Sequence, residues 1–197
     1  YKRNLMIAIL KYNAGNSTSV ENALLRLGYD CVVTDDKKTL LEADKVIFPG
    51  VGEAKSAMRY LKNKGLDQVI LNLKQPVLGI CLGLQLMCSE SEEGNTKCLG
   101  IFKNKVLRFN QTELVPHMGW NNIAKLKGKL LKGIENNADT YFAHSYYAEL
   151  SADTAAICEY IVPFSAALER KNFYATQFHP EKSASIGEKI VKNFLEL

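Results

Sequence analysis

Four short apolar runs, residues 5–10, 31–33, 46–48 and 77–80, constrain this chain more than any other feature. The run at 5–10, Leu5-Met6-Ile7-Ala8-Ile9-Leu10, has no polar alternation. A strand with one wet face alternates apolar and polar residues. A run that is apolar throughout needs cover on both faces, as in a parallel sheet between helical layers. The segments between the runs supply that cover. Val20, Ala23, Leu24 and Leu27 recur at helical spacing, with Asn16 or Ser17 available as a cap and Gly28 as a stop. Ala54, Ala57, Met58 and Leu61 form a second apolar face stopped by Gly65, and residues 66–73 read as a further short helix. This alternation predicts an α/β fold: three layers, a mostly parallel sheet flanked by helices, with right-handed crossovers.

From about residue 99 to 178 the pattern changes to short β-like segments, among them 155–160 and 173–178, separated by polar turns. These predict a mixed or antiparallel extension of the same sheet. Ile186, Ile190, Val191 and Phe194 place a closing helix at 183–197. No repeat or linker interrupts the pattern, so residues 1–197 are expected to form a single domain.

Composition narrows the function classes. Apolar residues at 47% and charged residues at 23% are globular values. No apolar run approaches the roughly 18 residues of a membrane helix, and 5–10 is too short for a secretory signal. The net charge of +4 is spread over scattered lysines, which argues against nucleic-acid binding. Five cysteines, an odd number without a CxxC pair, are expected to be reduced thiols in a cytoplasmic protein. His117, His144 and His179 lack the close spacing of a metal site.

The chemistry concentrates in Gly79-Ile80-Cys81-Leu82-Gly83-Leu84-Gln85. An apolar strand ends at Cys81 and an apolar helix opens at Gly83. Such an elbow lifts a side chain above the carboxyl edge of the sheet, over a helix N-terminus that favours a thiolate. The Leu82 N–H is then placed to meet an oxyanion. An isolated free cysteine is more commonly a small buried hydrophobe, and Cys88, Cys98 and Cys158 read that way. A nucleophile needs a base, and the base an orienter. Phe178-His179-Pro180-Glu181 supplies both: Pro180 holds His179 extended, and Glu181 can fold back onto the imidazole. Pro49-Gly50-Val51-Gly52 follows the third strand at the same edge. The glycines would let the Val51 peptide turn its N–H toward an oxyanion, although a plain glycine-rich turn has the same composition. Lys55 stands where a dinucleotide loop would need its third glycine.

Together these motifs resemble the class I, or triad-type, glutamine amidotransferases. Three further segments are similar to the glutaminase subunits of imidazole glycerol phosphate synthase: Pro116-His117-Met118-Gly119-Trp120-Asn121, Tyr141-Phe142-Ala143-His144-Ser145-Tyr146 and Ala175-Thr176-Gln177-Phe178-His179-Pro180-Glu181-Lys182-Ser183. The resemblance implies a flavodoxin-like sheet, with Cys81 as nucleophile, His179 as base and acid, and Glu181 as orienter. Gly50, Val51, Gly52 and Leu82 would form the oxyanion loop, and Gln85, Glu93, His144, Ser145 and Tyr146 would bind glutamine. Pro116, Met118, Trp120 and Asn121, with Lys182 nearby, would meet a partner; the residues alone equally suit a buried tryptophan turn.

The implied reaction is hydrolysis of glutamine to glutamate and ammonia, without metal or cofactor. The ammonia would pass to a (β/α)8 cyclase subunit in a heterodimer that makes imidazole glycerol phosphate and an aminoimidazole carboxamide ribotide in histidine biosynthesis. Two other readings are a glutaminase feeding a paralogous synthase, such as one forming a sugar amidine, and a stand-alone cysteine hydrolase. The latter has no need of Gln85, the His144-Ser145-Tyr146 segment or the 116–121 segment. An inactive binding subunit would have no use for an intact triad.

Overall fold

A computed structural model describes residues 5–110 and 114–197. The first half is the expected alternation: β1 (Ile7–Leu10), α1 (Thr18–Arg26), β2 (Cys31–Thr34), α2 (Lys37–Glu42), β3 (Lys45–Phe48), α3 (Ala54–Lys64), α4 (Leu66–Asn72), β4 (Val77–Ile80) and α5 (Leu82–Met87). The apolar runs face two cores at once. Ala8 and Leu10 join one cluster with α2, α3 and α4, while Ile7 and Ile9 join the other with α1. Phe48 and Ile47 divide between the clusters in the same way. That division is why these strands carry no polar alternation.

Local chemistry sets several helix ends. Asp36 caps α2 by accepting from the Thr39 N–H at 2.8 Å, and Glu53 caps α3 by accepting from the Lys55 and Ser56 N–H groups. Gly65, at φ 66°, ends α3 in a left-handed turn. Ser17 occupies the N-cap of α1 but makes no side-chain cap, so that part of the expectation is not realised.

The second half continues with β5 (Glu90–Ser91), β6 (Thr96–Lys97), β7 (Lys105–Arg108), β8 (His117–Ile123), β9 (Ala138–His144), β10 (Tyr146–Ala148), β11 (Thr154–Tyr160), β12 (Val162–Arg170), β13 (Phe173–Thr176) and α6 (Ala184–Leu195). The main sheet runs β11-β12-β13-β4-β3-β1-β2, with β13, β4, β3, β1 and β2 parallel and β11 and β12 antiparallel. The expected antiparallel extension is therefore present. The remaining strands depart from it: β10-β7-β5-β6 form a separate sheet, and β8 and β9 a separate hairpin pair.

The sequence pattern does not show α2 or β12. α2 buries only Leu40, too little to show a period. β12 contains Pro163, which usually argues against a central strand. Its pairing with β13 begins only at Ala167, so Pro163 lies where β12 has β11 as its hydrogen-bonded neighbour. α6 packs Ile190, Val191 and Phe194 onto the α1 side of the sheet and completes the outer layer.

Candidate active site

The sheet order places the carboxyl end of β4 between those of β3 and β13. Cys81, Pro49-Gly50-Val51-Gly52 and His179 follow those three strands, so residues far apart in sequence converge on one edge.

Cys81 sits at φ 53°, ψ −105°, a strained setting for a residue with a Cβ. Its N–H donates to the Thr176 carbonyl at 2.8 Å, which ties the elbow to β13. The flanking glycines serve close packing more than the turn itself. A Cβ at Gly83 would overlap the Phe48 carbonyl oxygen, and one at Gly79 would press on the Met87 sulfur. These contacts seat the start of α5 against β3 and β4.

His179 follows β13 in an extended conformation, φ −95° and ψ 98°, ahead of a short 3-10 turn at Pro180–Lys182. Its Nδ1 lies 2.7 Å from Glu181 Oε1, with both side chains almost fully buried, and its ring interacts with Cys81. Burial alone would lower the imidazole pKa. The bonds to Cys81 and Glu181 outweigh it and carry the pKa up to about 10. Among the described residues Glu181 Oε2 is buried without a partner, so the carboxylate depends on the imidazole for compensation. Ser183 locks the backbone here: its hydroxyl donates to the His179 carbonyl at 2.6 Å and accepts from the Tyr141 N–H.

A cleft of about 250 Å³ opens beside Cys81, lined among others by Val51, Gly52, Leu82, Gln85, Glu93, Pro116 and Met118. Ala143, His144, Ser145 and Tyr146 close its far wall. Every residue expected to hold a substrate therefore borders this space. Gln85 Nε2 donates to the Tyr146 carbonyl at 2.9 Å and to Gln177 Oε1 at 3.1 Å, which commits its N–H groups and leaves Oε1 as its acceptor. Glu93 accepts from the Ala54 N–H at 2.8 Å, and burial pushes its carboxyl pKa up. His144 is tied on both sides, Nδ1 to the Tyr146 carbonyl and Nε2 to His117 Nδ1. It borders the cleft with no ring nitrogen free for a ligand.

The N–H groups expected to meet an oxyanion are both engaged within the protein. The Leu82 N–H, expected to face an oxyanion, donates to the Gly50 carbonyl at 3.2 Å, and the Val51 N–H points away to the Ala14 carbonyl at 2.8 Å. Tyr12 anchors the same loop, donating to the Pro49 carbonyl at 2.6 Å. A Cβ at Gly50 would strike the Tyr12 hydroxyl, and Gly52 sits at φ 141°, so both glycines are required here.

The expected partner residues divide. Met118 and Trp120, on β8, are exposed at 65% and 56%, which is unusual for side chains of this size and excludes the buried tryptophan turn. Pro116 lines the cleft, and Lys182 is exposed in the turn after His179. Asn121 instead works inward, its amide bonding His117 Nε2 and the Glu159 carbonyl. Sequence reasoning gave no separate role to Tyr12, His117, Gln177 or Ser183. For Gln177 the available signal was a polar residue in an otherwise apolar strand end, two residues before His179.

Residues 8–197 match the class-I glutamine amidotransferase family. Imidazole glycerol phosphate synthase subunit HisH of Bacteroides fragilis is 60% identical over 196 residues, covering 98% of this chain and 100% of that one. The subunit HisH of Bacteroides thetaiotaomicron is 56% identical over the same shares. Among solved structures, PurLQS from Thermotoga maritima superposes with a TM-score of 0.73 at 16% identity, covering 98% of this chain and 99% of that one. A second, a glutamine amidotransferase, gives 0.74 at 18% identity over 96% and 97%. The structural likenesses bear on fold, and the sequence relatives on descent. The family match and the identity to the HisH relatives show that the chain belongs to the class-I glutamine amidotransferases, on the branch of the HisH subunits of imidazole glycerol phosphate synthase.

Proposed function

We propose that this chain hydrolyses glutamine to glutamate and ammonia, and hands the ammonia to a (β/α)8 cyclase subunit that makes imidazole glycerol phosphate in histidine biosynthesis. The observation that carries the reading is the buried Cys81–His179–Glu181 arrangement beside the cleft. His179, held by Glu181, stands ready to take the Cys81 thiol proton. Cys81 Sγ attacks the substrate carboxamide carbon, His179 gives its proton to the departing ammonia, and a γ-glutamyl thioester forms. Water, deprotonated by His179, then cleaves the thioester. Gln85 Oε1 suits the substrate ammonium, as the acceptor its committed N–H groups leave over.

The blocked loop fits an enzyme that waits for its partner. The Gly50 carbonyl and the Val51 N–H belong to one peptide, so a single rotation withdraws the carbonyl from Leu82 and turns the Val51 N–H inward. Two oxyanion donors become free together, and each is worth roughly 10²–10³ in rate. Exposed Val51, Met118 and Trp120 offer the surface through which a partner would bias that rotation. The seat of this chemistry is expected to be cytoplasmic, as a heterodimer; among the described residues no helix is long and apolar enough to cross a membrane. The deciding experiment is glutamine turnover by this chain alone and with the candidate cyclase carrying its nucleotide substrate. Strong stimulation coupled to formation of the cyclised product is expected. Full activity in the free chain sinks the switch, and failure to supply the cyclase sinks the pathway assignment.

A further inference from the structure

We propose that Gln177 is a positioning residue for the nucleophile: its side-chain N–H holds the Cys81 thiolate, and a chain of amides ending at a backbone carbonyl fixes which way it points. The inference rests on Cys81 being the nucleophile.

The parallel register of β13 with β4 pairs Thr176 with Ile80, so the next residue along each strand, Gln177 and Cys81, lie side by side. Gln177 is fully buried, and its Nε2 is 3.6 Å from Cys81 Sγ. An amide can turn over and present oxygen instead of nitrogen, so its polarity has to be set by its partners. Here the sequence of partners leaves one choice. The Tyr146 carbonyl only accepts, so the Gln85 atom facing it at 2.9 Å is nitrogen. That same nitrogen faces Gln177 at 3.1 Å, so the Gln177 atom there is oxygen. Gln177 must then present its N–H to the sulfur.

The sulfur's surroundings give that N–H its importance. As a thiol, Cys81 reaches the Ala143 carbonyl at 3.8 Å. Once the proton has left, this carbonyl becomes an unfavourable neighbour, and only donors stabilise the anion. The titratable groups that interact with the sulfur are His179 and the buried Tyr12 phenol; Glu181 stands behind His179. Tyr12 is committed to the Pro49 carbonyl. Gln177 is thus the neutral donor that remains with the thiolate whichever proton His179 holds.

The test uses the full chain with Gln177→Leu and Gln177→Met, which remove the N–H and keep most of the volume. Iodoacetamide alkylation of Cys81 is followed by peptide mass spectrometry across pH, and glutamine turnover is measured in the complex with the cyclase. A hydrogen bond to a charged group is worth enough for about a tenfold change. The alkylation midpoint should therefore rise by about one pH unit, and kcat should fall about tenfold or more with KM within about threefold. A purely structural role would lower thermal stability and leave the midpoint in place. An unmoved midpoint in either folded variant overturns the inference. So does collapse of both variants, which would assign the amide to the core. Alkylation of the unsubstituted chain is the separate control: if turnover survives complete modification of Cys81, the nucleophile reading fails instead.

Discussion

At the scale of single residues, the chemistry rests on groups that burial makes interdependent. Cys81→Ala is expected to abolish glutamine hydrolysis and leave the fold intact, since the site is a buried elbow and alanine removes only the sulfur. Ammonia-dependent synthesis in the complex should persist, and the two assays run on one preparation check both halves. His179→Ala should be comparably severe. Glu181→Gln should be milder, because it keeps a partner near Nδ1 while removing the charge that helps hold the imidazole at about 10. If Glu181→Gln leaves both kcat and its pH profile unchanged, Glu181 serves only the turn. Cys81, His179 and Glu181 stood out in the sequence because glycines lie two residues to either side of Cys81 and Pro180 separates His179 from Glu181. Gln177 and Ser183 did not, because their roles are hydrogen bonds that only the folded chain makes: Gln177 reaches Cys81 beside it, and Ser183 links the His179 carbonyl to the Tyr141 N–H. Sequence spacing carries no trace of such pairings.

The elements show the same division. The parallel core was legible from runs such as Ile7–Leu10, whose residues alternate between two apolar layers. The second sheet was not, because β5, β6 and β7 are short and partly polar, and only their pairing with one another and with β10 makes them a sheet. The loop after β3 is the element on which regulation would act. Tyr12 holds it through the Pro49 carbonyl, one peptide before the one that must turn. Tyr12→Phe keeps the ring against Phe48 and removes the hydroxyl. It is expected to raise glutamine turnover of the free chain several-fold and to shrink the stimulation by the partner. An unchanged ratio of free to complexed rates would show that the tyrosine serves packing alone. Gly83→Ala should be strongly destabilising, where an ordinary helical Gly→Ala change stabilises by about 1 kcal/mol, because the new methyl meets the Phe48 backbone. Thermal denaturation measures the loss.

For the whole molecule, two properties follow from surfaces and buried charge. Met118→Ala combined with Trp120→Ala should weaken association with the cyclase by at least about tenfold, the cost of losing an aromatic anchor and its neighbour. Titration calorimetry reads this directly, and unaltered affinity would move the interface elsewhere. Acid sensitivity comes from the paired imidazoles. Burial first, and for His144 also the neighbouring histidines, holds His117 at about 4 and His144 at about 3. An unfolded chain titrates both near 6.5, so below that pH it binds protons the native state refuses. The stability associated with these neutral rings is complete above about pH 6.5 and is lost as pH falls toward 4 and 3. Denaturant midpoints should therefore drop between pH 7 and pH 5, and His117→Gln should flatten that slope.

Because the Gly50–Val51 peptide carries one blocking carbonyl and one misdirected N–H, the two donors share a single torsional coordinate. Under the proposed switch no half-armed enzyme would exist along it. Regulation would then work as a duty cycle: a partner would change the fraction of time the peptide spends turned, not the vigour of each turnover. The quotient of basal and stimulated rates becomes a population gauge. A chain running at about one-hundredth of its stimulated rate would be armed about one per cent of the time, within the ordinary range for a minor conformer.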